Sequence, residues 1–326
     1  MAVFMERLDI SETRGLFGPP AGLYGPVVAA VIARGAPVEY RFFSNESVRE
    51  AAEKGDLGAV EWNAIAVTEV LLRAHLAANT SIIRSARWFE ATWREHEAAN
   101  LLGWAACCRS LLEAIGDTID GLLDISLTLA DTMPTLMKGL SSFDEGLLNL
   151  KEIEDKLIHF SHGRRVERAE RTTVPSTHIA RQTVDYIRLL EAAGGPTKLY
   201  AELCEIGHPA RQSLSWTHIE VDGGFRVDAD RDSQAIAEIV ARHRDELQLL
   251  PSLAFNPSLF VLRVLIKFGL FPRIPELRKF SFQGAKGWGK IEAILANAPR
   301  APKRHPLVDS LVSSTPKPAS RVSVDR

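Results

Sequence analysis

Three side chains that commonly bind metals are spaced along one predicted helix. Asp155, His159 and His162 stand at positions i, i+4 and i+7, which places a carboxylate and two imidazoles on the same helical face. Carboxylate oxygens and imidazole nitrogens are ligands that Zn²⁺ accepts in proteins. The two histidines also stand near the end of the helix, where a protonated imidazole interacts favourably with the helix dipole. The spacing therefore predicts either a metal site or a stabilised helix end.

A row of charged side chains follows the predicted helix that spans residues 97–130. Its members step by three or four positions and so share one side of the helix: Arg109, Glu113, Asp117, Asp120 and Asp124. Carboxylates that converge inside a helical bundle can bind metals. The opposite side of this helix is apolar, however, as in an amphipathic helix whose polar side meets water. The pattern favours a solvated row in which Arg109 and Glu113 form a local ion pair.

The segment between Pro257 and Arg304 is strongly basic. It holds ten lysines and arginines against Glu276 and Glu292, which leaves a formal charge of +8. Because the whole chain carries −2, the rest of the protein is acidic. Aromatic residues, Trp288 among them, are interspersed with the cations, and this mixture is typical of surfaces that bind single-stranded nucleic acid. The candidate nucleic-acid-binding residues are Arg263, Lys267, Arg273, Arg278, Lys279, Lys286 and Lys290.

The same basic segment is also compatible with a membrane contact or with internal docking. Cations next to aromatic side chains bind anionic membrane surfaces. Alternatively, the aromatic residues belong to the protein core and the cations dock on the acidic remainder of the chain. The acidic charge of that remainder favours internal docking, and all three interpretations stay open at the level of sequence.

Hydrophobic residues recur with helical periodicity through most of the chain, which predicts a mainly α protein folded as an antiparallel helical bundle. The clearest helix spans Glu97 to Ala130. One β-hairpin is expected near residues 214–227, because strand-forming residues flank the turn Asp222-Gly223-Gly224. The other predicted helices cover residues 61–78 and 81–96, divided at Asn79, and then 143–162, 178–193, 197–206, 232–250, 256–269 and 286–298.

Composition along the chain suggests four segments. Residues 1–45 are rich in glycine and proline and are expected to be irregular. Residues 46–256 form the predicted helical bundle domain, and residues 257–300 form a basic helical C-terminal segment. Residues 301–326 contain four prolines and are expected to be a disordered tail.

The cysteines and the charge pattern suggest a soluble protein of a reducing compartment. The chain has 326 residues and three cysteines, of which Cys107 and Cys108 are adjacent, and it has no CxxC pair. This spacing argues against a disulfide framework and against a structural zinc site. Since neither a signal peptide nor a long uncharged run is evident, we expect a cytoplasmic protein without a transmembrane segment or cofactor. Its oligomeric state is left open.

Two segments resemble a known group of proteins. Residues 108–114 read CRSLLEA, and residues 199–209 read LYAELCEIGHP. They are similar to the RslxEa helix and the lYxxLSxxxHp segment of uncharacterised bacterial helical proteins with HEPN-like bundles. The resemblance covers roughly residues 95–215. It implies an antiparallel bundle in which four residues cluster, namely Arg109, Glu113, Tyr200 and His208.

The resemblance also implies an activity. Many HEPN proteins are RNA-cleaving toxins or antiphage effectors that use an Arg-x(4–6)-His motif. The catalytic residues implied here are the four that cluster, with His208 as the acid–base group. One matching spacing joins Arg171 to His178, but Pro175 interrupts the helix between them. This departure counts against ribonuclease activity.

Three functions therefore remain open. The first is an HEPN-like protein that binds or acts on RNA in a defence or toxin-type role. The second is a non-enzymatic interaction module whose basic segment and tail contact a protein partner. The third is a metal-dependent helical enzyme built on the Asp155 triad. No complete catalytic motif, such as GxSxG, favours an enzyme.

Overall fold

The fold is known from a computed structural model. It describes residues 9–35, 38–42, 53–55, 57–141, 146–208, 211–228, 230–282, 285, 287–301 and 303–308. Lys286 and most of the predicted disordered tail lie outside the described residues. Within them the protein is mainly α-helical with one two-stranded antiparallel hairpin, which confirms the predicted fold class.

The elements below are given in chain order, and the longest connections join Gly35 to Ala59 and His162 to Thr183. Short 3₁₀ turns cover Ile10–Thr13, Ser176–His178 and Ile266–Phe268. The regular elements are α1 (Arg14–Gly35), α2 (Ala59–Glu97), α3 (Leu101–Asp131), α4 (Met133–Gly139), α5 (Lys151–His162), α6 (Thr183–Ala192), α7 (Thr197–Gly207), α8 (Arg211–Ser215), β1 (His218–Val221), β2 (Gly224–Val227), α9 (Asp232–Arg242), α10 (Arg244–Leu265), α11 (Pro275–Lys279) and α12 (Trp288–Ala296).

Helix α3 is the centre of the bundle, and it confirms the predicted helix at 97–130 with a later start. The chain turns at Ala99, whose φ is 51°, and Asn100 then caps α3 by accepting a hydrogen bond from the N–H of Gly103 at 3.1 Å. Trp104 and Leu112 on α3 are fully buried. The helix packs against α2 and α10, and also against α5, α6 and α7. A helix with so many neighbours has little surface left for water.

Helix α2 is one continuous helix, so the predicted division at Asn79 is wrong. Asn79 is buried, and its Nδ2 donates a hydrogen bond to the carbonyl of His75, one turn earlier, at 2.8 Å. Asparagine ends helices because its amide competes for backbone hydrogen bonds. Here that bond stays within the helix, and the buried alanines and leucines on either side keep the helix intact.

The N-terminal segment is helical, so the predicted irregular structure at 1–45 is wrong for residues 10–35. Gly18 has a φ of 71° and kinks α1, and Pro19 and Pro20 directly follow this kink. Proline is tolerated at the start of a helix because its missing N–H is not needed there. Apolar residues such as Phe17 and Val28 are fully buried against the bundle. Their burial outweighs the glycine and proline content that predicted a loop.

Helix α10 runs through Pro257, where the sequence predicted both a helix start and a domain boundary. The helix begins at Arg244, after a break at His243, and contains Pro251 and Pro257. An interior proline costs roughly 3 kcal/mol. Each fully buried large apolar side chain contributes about 1.5–3 kcal/mol, and α10 buries several, including Phe255 and Phe260, against α1, α2 and α3. The basic segment therefore begins inside a core helix.

Two stretches are long and apolar enough to cross a membrane by length and composition alone. They are Ile10–Gly35 and Arg244–Phe268, whose most apolar windows are 50% and 67% buried inside the protein. No charged residue lies between Arg14 and Arg34, so the expectation that the chain has no long uncharged run is wrong. Core helices of soluble proteins pass the same test, so the cytoplasmic location stays a prediction.

Candidate functional site

The middle of the charged row on α3 lies in an interface between helices, so the predicted solvated row is wrong for Asp117 and Asp120. Asp124 is 79% exposed, and Arg109 and Glu113 form the predicted local ion pair at 3.2 Å. Side chains from other elements pair with its acidic members. The side chains of Asp117 and Asp120 are only 18% and 14% exposed. We call the row and its partners the α3 seam. Its ion pairs are Asp117–Arg84 at 2.6 Å, Asp120–Arg181 at 2.8 Å and Asp124–Lys156 at 4.0 Å.

Two glycines explain how neighbouring helices come so close to the α3 seam. A Cβ atom on Gly121 would lie 2.4 Å from the ring of Phe160 in α5. A Cβ atom on Gly116 would lie 2.4 Å from the backbone carbonyl oxygen of Tyr186 in α6. Because these positions lack side chains, α5 and α6 cover the polar side of α3. Helical periodicity alone does not distinguish a polar side in water from a polar side in an interface.

Three of the four residues that the resemblance groups together do meet, at the N-terminal half of the α3 seam. The hydroxyl of Tyr200 in α7 donates a hydrogen bond to Oε1 of Glu113 at 3.0 Å, and Nε of Arg109 donates to the same oxygen at 3.2 Å. Burial raises the pKa of Tyr200, and the neighbouring Glu113 and Cys204 raise it further. The hydroxyl therefore stays protonated, and the cluster joins α7 to α3.

His208, the fourth residue, is not part of this cluster. It follows the last residue of α7 as an exposed cap, and no hydrogen bond or ion pair involves its side chain among the described residues. His178, which forms the Arg-x(4–6)-His spacing with Arg171, stacks on His162, with ring centroids 5.4 Å apart. The sequence also has Arg-x(4–6)-His spacings at 211–218 and 300–305, and neither of them lies within one helix.

The predicted metal ligands Asp155, His159 and His162 do not converge. Nδ1 of His159 lies 3.1 Å from the carbonyl oxygen of Thr177, and His162 packs on His178. Among the described residues no group of three or more His, Cys, Asp or Glu side chains is placed to hold a metal ion. Both histidines stand in the last turn of α5, the position that the helix-dipole alternative requires.

The aromatic residues of the basic segment form core, which favours internal docking of that segment. Phe282 and Trp288 are 3% and 6% exposed. Their rings lie 4.5 Å apart between centroids, and both contact Phe260 of α10. Buried rings of this kind offer no face on which a nucleobase stacks.

Some of the predicted nucleic-acid-binding cations are also engaged by the protein itself. Arg263 donates a hydrogen bond to the carbonyl of Leu277 at 3.0 Å, and burial lowers the pKa of its guanidinium. Nζ of Lys290 lies 3.2 Å from a carboxylate oxygen of Asp131, at the end of α3. Lys267 is half-buried. Four cations of the set are exposed, namely Arg273, Arg278, Lys279 and Lys290.

A surface pocket of about 480 Å³ adjoins the α3 seam. It follows one side of α2 over three helical turns, and Arg84 belongs both to the pocket and to the seam. The lining is mainly apolar, with two guanidinium groups and one indole. The lining residues are Thr80, Ile83, Arg84, Arg87, Trp88 and Ala91.

The two arginines of this pocket differ in their partners. Nη1 of Arg84 binds Asp117, and Nη2 contacts the hydroxyl of Thr118 at 3.2 Å, so its guanidinium is fixed. It also lies over the ring of Phe160, 5.3 Å from the centroid. Arg87, almost one turn further, is exposed, and no hydrogen bond or ion pair involves it in the described part of the chain. The pocket therefore offers one held guanidinium and one available to a ligand.

Sequence reasoning did not single out this pocket, although a signal for it was present. Arg84, Arg87 and Trp88 stand at i, i+3 and i+4, which is the spacing of neighbours on one helical face. Two cations beside an indole are unusual on a helix that otherwise buries alanine, leucine and valine. The pattern indicates a binding face, whereas a tryptophan on an apolar helix is ordinarily assigned to the core.

Comparison of the chain with protein-family models, with curated proteins and with solved structures found no match in any of the three. The HEPN-like resemblance therefore stays a prediction that rests on the segments 108–114 and 199–209. The assembly of Arg109, Glu113 and Tyr200 agrees with what the resemblance implies, and the position of His208 does not.

Proposed function

We propose that this protein binds single-stranded RNA through the α2 pocket. The observation that carries the proposal is the exposed Arg87, which has no partner among the described residues, beside the half-buried Trp88 and the fixed Arg84. Single-stranded nucleic acid is bound by cations that neutralise phosphates and by planar side chains on which bases stack. The pocket supplies both on one rigid helix.

Each side chain has a separate part in this proposal. Arg87 neutralises a phosphate, because its charge has no partner within the described protein. The charge of Arg84 is largely balanced by Asp117 at 2.6 Å, so Arg84 contributes a held planar surface more than net charge. Trp88 provides the stacking face, and Ile83 and Ala91 extend its apolar surroundings. A guanidinium held before the ligand arrives loses little side-chain entropy on binding.

The proposal is limited to binding and does not include cleavage. No histidine among the described residues is hydrogen-bonded or ion-paired to Arg109, Glu113 or Tyr200, and acid–base catalysis needs such a group within reach of the reacting atoms. The Arg109 cluster holds α7 on α3 instead. A defence or toxin-type role through cleavage would require His208 to reach that cluster.

The test is a titration of a fluorescently labelled single-stranded oligoribonucleotide, followed by anisotropy at fixed salt. We expect Arg87→Glu to weaken binding about tenfold or more, since it replaces a phosphate contact by a repulsive charge. Trp88→Leu keeps the apolar packing and removes the stacking face, a change worth roughly 1–3 kcal/mol per base. Circular dichroism verifies that both variants remain folded.

The matched control is Lys279→Glu, which makes the same charge change at an exposed position of the basic segment. Affinity within about twofold of the wild type is expected for this control. Loss of binding in Lys279→Glu with normal binding in Arg87→Glu would assign RNA to the basic segment and refute the pocket. Absence of any RNA binding by the wild type would refute the proposed function altogether.

A further inference from the structure

Exposed apolar side chains are concentrated around the β-hairpin. Of the ten large apolar side chains that are exposed within the described residues, four lie between Leu214 and Val227. Phe225 is 64% exposed and Val227 is 80% exposed, and both belong to β2. Single exposed apolar residues are ordinary, whereas a group of them indicates a contact surface. The members of the group are Leu214, Val221, Phe225 and Val227.

The outer edge of β2 is free among the described residues. β1 pairs with one edge in the register His218↔Val227 to Val221↔Gly224. The N–H of Asp228 donates to the carbonyl of Thr217 at 2.9 Å, which makes that pair a hydrogen-bonded one. Hydrogen-bonded and non-hydrogen-bonded pairs alternate in an antiparallel ladder, so Phe225 and Val227 direct their N–H and C=O groups away from β1. All four residues of β2 are exposed.

We propose that β2 pairs with β2 of a second copy of this chain, antiparallel and about a two-fold axis at Phe225. The two hairpins then form one four-stranded sheet. Each Phe225 donates its N–H to the carbonyl of the other copy and accepts the reciprocal bond. A two-stranded hairpin is marginally stable alone, and an unprotected edge strand is a template for pairing. Pairing with a second copy would stabilise the hairpin and cover its free edge. Dimers in which the same surface of both copies meets about a two-fold axis are the commonest protein dimers.

The charges on β2 favour this axis over one at Arg226. An axis at Arg226 would set two guanidinium groups directly opposite each other, which is unfavourable. Because the N–H and C=O groups of Arg226 face Ile219 of β1, the two Arg226 residues would form a non-hydrogen-bonded pair, the kind in which opposite side chains lie closest. With the axis at Phe225, Arg226 faces Gly224 of the second copy and meets no like charge. The two phenylalanines then lie side by side on the same face of the sheet, where aromatic pairs are stabilising.

The first experiment measures the mass of the full-length protein in solution by light scattering over a range of concentrations. We expect a monomer–dimer equilibrium, and we expect Phe225→Lys to shift it to monomer at every concentration tested. Helicity by circular dichroism should not change, because the hairpin is exposed and is separate from the core. A wild type that stays monomeric up to about 0.5 mM, a concentration chosen to reveal weak dimers, overturns the proposal. So does a Phe225→Lys variant that dimerises like the wild type.

The second experiment tests the axis by disulfide trapping in a Cys107→Ser, Cys204→Ser background. Hydrogen-bonded neighbours lie about 5.5 Å apart between Cα atoms, a separation that a disulfide spans. We expect Phe225→Cys to give a covalent dimer on mild oxidation. Val227→Cys is the matched control, because its two copies would be offset by four residues, about 14 Å apart. Equal trapping of both variants, or trapping of Val227→Cys alone, contradicts the register. Neither experiment depends on RNA binding, so the two proposals fail separately.

Discussion

Two groups of polar side chains on helix α2, only a few turns apart, have different surroundings. His75 is 3% exposed, its Nδ1 shares a hydrogen bond with the hydroxyl of Tyr40 at 2.7 Å, and its ring stacks on Phe271 with centroids 3.9 Å apart. Nine residues later the helix presents Arg84 and Arg87 to a pocket. The first region is neutral, buried and hydrogen-bonded within the protein. The second carries charge and faces water.

The difference indicates which polar residues of this protein are structural and which are available to a ligand. Burial lowers the pKa of His75 to about 3, so the imidazole is neutral at any ordinary pH. Arg84 is intermediate between a structural residue and a ligand-binding one, because it is ion-paired with Asp117 and also lines the pocket. Arg87 alone of these groups has no partner in the described residues. We therefore expect substitutions around His75 to change stability and substitutions at Arg87 to change binding.

The largest effect on stability is expected for His75→Ala. The substitution removes a buried stacked ring and deprives the Tyr40 hydroxyl of its hydrogen-bond partner on His75, which together cost about 3 kcal/mol. The measurement is the free energy of unfolding from urea titration at pH 7. Arg87→Ala serves as the control and should stay within about 0.5 kcal/mol of the wild type. Equal stability losses at both positions would remove the distinction between the two regions.

The pH dependence of stability should carry a contribution from His75. Its pKa is about 3 in the folded protein and 6.5 in the unfolded chain. Between these values only the unfolded chain binds the proton. The contribution is therefore fully present above pH 6.5 and is lost as the pH falls towards 3, by about 1.4 kcal/mol per pH unit.

We expect the wild type to lose about 2 kcal/mol more than His75→Gln between pH 6.5 and pH 5. Glutamine accepts the Tyr40 hydrogen bond and does not titrate, so it isolates the contribution of the imidazole. The measurement is urea unfolding at both pH values. Parallel pH profiles for the two proteins would show that the imidazole is not held neutral by burial.

A smaller effect is expected for Tyr200→Phe in the α3 seam. The variant loses one hydrogen bond to Glu113, which is worth about 1 kcal/mol of unfolding free energy. RNA affinity should stay unchanged, because Tyr200 joins α7 to α3 and does not line the pocket. A variant of normal stability that lost RNA binding or processing would instead give Tyr200 the functional part that the resemblance implies.

A modest loss of stability is expected for Asp117→Asn. Because Arg84 is 37% exposed, solvent screens the ion pair, and its loss should cost no more than about 1 kcal/mol. The pocket gains one positive charge, and we expect RNA to bind about threefold more tightly at low salt. Anisotropy at two salt concentrations measures this gain, which should shrink at the higher one. Weaker binding would show that Arg84 must be held in place by Asp117 to contribute.

Strong local patterns allowed the elements with regular periodicity to be predicted. The long helix α3 repeats apolar residues at helical spacing, and the β1–β2 hairpin has a glycine turn between strand formers. Helix α1 and the middle of α10 were missed, because glycine and proline oppose helix formation locally. Packing against the bundle overrides that preference, and a single sequence does not reveal the packing.

The candidate site was only partly predictable for a similar reason. The charged row on α3 was found by its spacing, but its partners Arg84, Arg181 and Lys156 come from other segments of the chain. Contacts over such distances depend on how helices dock. Glu113 and Tyr200, 87 residues apart, were associated through a resemblance rather than through any periodicity.

Photochemical crosslinking locates the RNA most directly. The wild-type protein is irradiated in complex with a single-stranded oligoribonucleotide that carries 4-thiouridine, and the crosslinked peptides are identified by mass spectrometry. We expect the crosslinks to fall on α2, at or beside Trp88, and to disappear in Arg87→Glu. Crosslinks confined to residues 257–304, or crosslinks on α2 that persist in Arg87→Glu, would contradict RNA binding by the α2 pocket.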